Sequence, residues 1–90
     1  MNINETNQLI VIEFNRIKEM VLEKNISYNN SLQNPNNIFS KSDVIEGIAK
    51  RLDDKINRIT AAGINEQTID TIDDIIGYLI HLRIAYNNKQ

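Results

Sequence analysis

The chain has no cysteine and no tryptophan, one proline, three glycines and one histidine in 90 residues. Without cysteine there is no disulfide, no thiolate zinc site and no cysteine nucleophile, and nothing points to an oxidising compartment, so the expected setting is cytoplasmic. One histidine excludes a multi-histidine metal site. Ten basic against twelve acidic residues leave a net charge of −2, whereas duplex binders present a dense positive face to phosphates, so no extended nucleic acid is expected as a partner. No window approaches the roughly 20 apolar residues that span a bilayer, and residues 1–8 lack the basic start and apolar stretch of a signal peptide, so no membrane partner is expected either.

What is present is globular in balance: 41% hydrophobic and 24% charged residues, with isoleucine dominating the apolar fraction and only five aromatic rings. Ninety residues make one domain with a thin core. Ile10, Phe14, Ile17 and Val21 are spaced four, three and four apart, the spacing of one helix face, and predict a first helix over about 5–24 capped by Asn4 or Thr6. Ser42 or Asp43, the latter paired with Glu46 three residues later, opens a second helix over about 43–62, carried by Ile45, Ile48, Leu52, Ile56 and Ile59 and stopped by Gly63. Asn65 caps a third over about 66–86, with Ile72, Ile75, Leu79 and Leu82 on one stripe and Ile69, Ile76 and Ile80 beside it. Between the first two helices, residues 25–41 are rich in asparagine and lose periodicity, which predicts a long loop, either functional or a floppy connector. The pattern as a whole predicts an all-α, three-helix antiparallel bundle. An exposed Ile-rich face on the third helix predicts a homo-oligomer.

Two sets of polar residues carry candidate chemistry. On the third helix Asp70, Asp74, Gly77 and His81 recur at four, three and four, with Asp73 at the edge. Such a stripe reads first as a solvated face, with His81 as a surface residue. Gly77 argues otherwise, because glycine inside a helix costs about 1 kcal/mol relative to alanine and needs a packing or close-approach reason. On the second helix Arg51, Asp54, Lys55 and Arg58 flank the apolar row. Asp54 lies where it can approach Asp70 or Asp74, and carboxylates converging from two helices repel unless a divalent cation or an arginine sits between them.

Three segments taken in order, Lys24-Asn25-Ile26-Ser27-Tyr28-Asn29-Asn30-Ser31-Leu32, Arg51 to Ile59, and Asp70 to Tyr78, resemble the nucleotide-modification-associated domain family of phages. That family shows a Lys-Asn-x-Asp-Tyr-Gly-x-Ser-Phe loop, an Arg-x-x-Asp-Lys-x-x-Arg-Leu helix and a Glu-Ser-x-x-Asp-Thr-x-x-Asp-Leu-x-x-Tyr helix. The likeness covers about residues 24–82, with Ser27, Asn29 and Gln67 departing from the pattern. Through the family's relation to MazG-like all-α nucleoside triphosphate pyrophosphohydrolases, the resemblance implies a nucleotide ligand held by Lys24, Tyr28, Ser31, Arg51, Lys55, Arg58 and Tyr78. It further implies Mg²⁺ at Asp54, Asp70 and Asp74, although the paired glutamates of the hydrolases have no equivalent on the second helix. The function expected first is that of a nucleotide-binding phage or prophage protein sequestering a nucleotide or cyclic-nucleotide signal in counter-defence. The alternatives are a Mg²⁺-dependent nucleoside triphosphate pyrophosphohydrolase and a non-catalytic protein-interaction module.

Overall fold

The computed structural model describes residues 1–39 and 42–89, and Ser40 and Lys41 of the predicted loop lie outside them. It contains three helices, α1 (Ile3–Ser27), α2 (Val44–Ala62) and α3 (Ile69–Lys89), and no strand among the described residues. The all-α bundle read from periodicity is therefore the fold.

Each boundary has a local cause. The Asn2 side chain, not Asn4 or Thr6, caps α1 by accepting from the Glu5 N–H at 2.8 Å, because the chain is already helical at Ile3. Asp43 caps α2 as expected, accepting from the Glu46 N–H at 2.8 Å, and Gly63 ends it at φ +77°, a left-handed value that glycine adopts without steric cost. Asn65 then starts a turn that leads into α3. Its side chain accepts from the Gln67 N–H, its carbonyl accepts from the Ile69 N–H, and Thr68 Oγ1 accepts from its own N–H. Regular helix begins at Ile69, three residues later than the sequence predicts, because Glu66 to Thr68 form that turn.

The predicted loop is shorter and more ordered than its composition suggests. Helix α1 runs on to Ser27, and the chain reverses through Asn29 and Asn30 at φ +53° and +60°, a region asparagine tolerates better than most residues. Backbone bonds from Asn30 N–H to the Asn25 carbonyl and from Asn34 N–H to the Asn30 carbonyl, both 3.0 Å, tie the reversal together. Leu32 then packs onto the core.

Helices α2 and α3 form an antiparallel hairpin in which Ile48, only 1% exposed, packs with Leu52 and Ala85, and Ile75, Tyr78 and Leu82 seal the edge. Helix α1 packs on α3 alone and makes no backbone approach to α2. Of its predicted stripe only Ile17 is buried, and Phe14 is 71% exposed. The molecule is accordingly elongated, 49 × 31 × 25 Å with a radius of gyration of 15.1 Å, against about 12 Å for a compact chain of this length.

Candidate functional site

Helix α1 comes close to α3 at Gly77, which is buried. A Cβ there would stand 3.3 Å from Val21 Cγ2 and 3.7 Å from Met20 Cε. This is the close-approach reason that a mid-helix glycine demands, and it corrects the reading of the third-helix stripe as solvated. Around the crossing, polar pairs take over from apolar packing. Arg16 grips Asp73 with two hydrogen bonds, Nη1 to Oδ2 at 2.7 Å and Nη2 to Oδ1 at 3.0 Å, and also bonds Glu13. Those bonds, Asp73's first, raise the guanidinium's pKa further above its ordinary value, and the same bond from Arg16 lowers Asp73.

The next residue, Asp74, joins all three helices. Lys24 from α1 donates to Oδ1 at 2.6 Å and Lys55 from α2 lies 3.0 Å from Oδ2. Burial, the largest single influence on this carboxyl, pushes its pKa up, but the hydrogen bonds from Lys24 and Lys55 outweigh it and leave it below its ordinary value. The bond to Asp74 raises Lys24 in turn. Two cations on one carboxylate leave a local excess of positive charge.

That excess borders a shallow cleft, open to solvent, between α1, the Tyr28–Leu32 turn and α3. Lys24 and Asp74 stand at its polar edge, Tyr28 and Tyr78 supply rings, and Gly77 and His81 line it from α3. Tyr28 is half exposed, so a ring face is available to a ligand. Chemically, the cleft offers flat aromatic surface beside ammonium groups, a combination suited to a planar molecule that carries an anion.

Of the residues singled out by sequence, Lys24, Tyr28, Tyr78 and Asp74 line this cleft, and Lys55 reaches it through Asp74. Ser31 and Arg51 instead line a second, open hollow bounded by Pro35, Asn37 and the start of α2, with Leu32 as a wall common to both. Arg58, Asp54 and Asp70 are exposed and line neither. Among the described residues no group of three or more His, Asp or Glu side chains is arranged to hold a metal ion. Asp54, Asp70 and Asp74 are thus not gathered into a ligand set, and Asp74 is engaged by the two lysines.

Two participants were not anticipated. His81 is 7% exposed rather than on the surface, and burial lowers its pKa. Gln33, from the end of the asparagine-rich turn, bonds it through Nε2 at 3.0 Å from Nδ1 and 2.9 Å from the His81 carbonyl. Spacing along α3 puts His81 with Asp74 and Gly77, and Gly77 was the one signal that this side is covered. Nothing in the sequence pairs Gln33 with a residue 48 positions away.

No helix among the described residues is long and apolar enough to cross a membrane. No protein-family model, no curated protein and no solved structure matches the chain.

Proposed function

We propose that the cleft between α1, the Tyr28–Leu32 turn and α3 binds a nucleotide or nucleotide-derived small molecule, and that the protein acts by holding that ligand. The observation that carries the reading is that Lys24, which lines a cleft bearing Tyr28 and Tyr78, meets Lys55 from a second helix on Asp74 at the border of that cleft. Ammonium groups draw a phosphate and the rings accept a base by stacking. The likeness of the Lys24–Leu32, Arg51–Ile59 and Asp70–Tyr78 segments to the phage nucleotide-associated family points to the same ligand class. A phage or prophage protein of this kind sequesters a nucleotide or cyclic-nucleotide signal used in defence.

Calorimetry with nucleoside mono-, di- and triphosphates and cyclic dinucleotides tests the proposal. Binding by at least one of them, weakened tenfold or more in a Lys24→Ala, Lys55→Ala double variant, is the expected result. No heat from any member of the panel contradicts it.

The same reading includes a second copy of this chain. Ile3, Ile10 and Phe14 project from the first half of α1 without a partner in their own chain, and Ile69, Ile76, Leu79 and Ile80 leave an arc of α3 uncovered. A helical half of about 12 residues is marginal in water by itself, so a partner surface is needed to hold it. Light scattering on the full chain is expected to give a dimer or a larger closed oligomer that Phe14→Glu reduces to monomer. A wild-type monomer across micromolar to millimolar concentrations contradicts self-assembly.

A further inference from the structure

We propose that His81 is a binding residue of the cleft, presenting a single fixed N–H donor that selects a ring carbonyl over a ring amine. The inference rests on the nucleotide reading above and adds the part of the ligand that the cleft discriminates.

The argument begins with Gln33. Its amide group faces the His81 backbone carbonyl at 2.9 Å, and a carbonyl oxygen only accepts, so the atom facing it is the NH₂ nitrogen. The second hydrogen of that NH₂ is directed at His81 Nδ1, 3.0 Å away. Nδ1 is therefore the acceptor, and the proton of the neutral ring resides on Nε2. Among the described residues no fully buried side-chain nitrogen or oxygen lacks a partner. Nε2 has no hydrogen-bond partner among the described residues, so it keeps accessible surface, and His81 lines the cleft. Burial lowers the ring's pKa and so favours its neutral form, and Lys24, at the cleft, is hydrogen-bonded to Asp74.

A neutral, oriented N–H on the wall of an aromatic cleft matches an acceptor on a planar ring. An exocyclic amine in the same place would set donor against donor and leave both unpaired, which costs more than the hydrogen bond gains. The lysines at the other edge suit the phosphate, so His81 reads the ring.

Inosine and adenosine 5′-monophosphates differ at the ring edge by a carbonyl against an amine. Calorimetry is expected to show the inosine nucleotide binding about tenfold tighter, the size of one net hydrogen bond. His81→Phe should bring the two to within about twofold of each other. Because His81 is the single histidine, its imidazole ¹⁵N shifts are assigned without ambiguity. They should report Nε2 protonated and Nδ1 bare from pH 6.5 to 8, with Nε2 moving when the inosine nucleotide binds. Gln33→Met should blur this into a tautomer mixture without ligand present. Heat from neither nucleotide, where others in the wider panel bind, removes this proposal and leaves the nucleotide reading standing. Heat from no nucleotide removes both. Equal affinity for the two, or a proton on Nδ1, removes the role of His81 alone.

Discussion

The α2–α3 hairpin and helix α1 are held by different physics. The hairpin is an apolar zipper: Ile48, Leu52 and Ala85 interlock at its centre, and a six-residue connection from Gly63 to Thr68 keeps the two strands of the zipper in register. Helix α1, about 37 Å long at 1.5 Å per residue, buries one large side chain, Ile17, and leans on α3 through a glycine crossing and two ion pairs. The hairpin is the densely packed part and α1 the lightly packed one. The cleft lies at their junction, so a ligand placed there contacts both.

Four substitutions break or sharpen that contrast. The largest effect is expected at Ile48, the most buried side chain in the hairpin, where Ile48→Ala should lower unfolding free energy by about 3 kcal/mol in chemical denaturation, a large share of the stability of a chain this small. Gly77→Leu attacks the crossing instead. Its side chain has to displace Val21 and Met20, an overpacking cost of about 2 kcal/mol, and hydrogen exchange should show α1 amides losing protection while the hairpin keeps its own.

Asp74→Asn removes the charge at the three-helix junction and should cost about 1 kcal/mol near neutral pH, a modest figure because Lys24 is nearly half exposed and solvent screens its share. The carboxyl's pKa in the folded protein lies below its ordinary 3.8. Its contribution is therefore complete above pH 3.8 and disappears as pH falls through the lower folded value. Acid denaturation curves of wild type and Asp74→Asn should converge there. If the two proteins are equally stable at pH 7, the junction does not couple the helices.

The smallest effect belongs to His81. Its folded pKa lies below 6.5, so between that value and the lower one the unfolded chain takes up a proton that the folded protein refuses. Stability present above pH 6.5 should decline as pH falls below it, and His81→Phe should flatten that part of the profile. A wild-type profile already flat from pH 7 to 5 would show that the ring is not held neutral.

How much of this was legible in the sequence follows the same division. Local rules placed what local physics decides: Asp43 as a cap, Gly63 as a stop, Ile48 and Leu52 as core, and Gly77 as a point of close approach. Periodicity identifies a helix face but not the neighbour that covers it. Helix α3 has both an apolar face toward α2 and a face of Asp74, Gly77 and His81 toward α1, and the second was read as solvated because its residues are polar or small. The stripe of Ile10, Phe14, Ile17 and Val21 looked like core, yet only Ile17 is buried and Val21 lies half-covered against Gly77 of α3. The resemblance assigned Arg51, Lys55 and Arg58 to one ligand, whereas Arg51 lines the second hollow, Lys55 pairs with Asp74 and Arg58 is exposed. Gln33 was hidden because a long-range hydrogen bond leaves no mark on spacing.

The central claim is that the junction of the hairpin and α1 is a nucleotide site. A ¹H–¹⁵N spectrum of the full chain, titrated with the nucleotide panel, tests it most directly. The account requires that at least one nucleotide shift the amides of Lys24, Tyr28, Leu32, Asp74 and Tyr78 in a saturable way while those around Ile48 stay still. A spectrum unmoved by every nucleotide, or shifts confined to Arg51 and the second hollow, would contradict it.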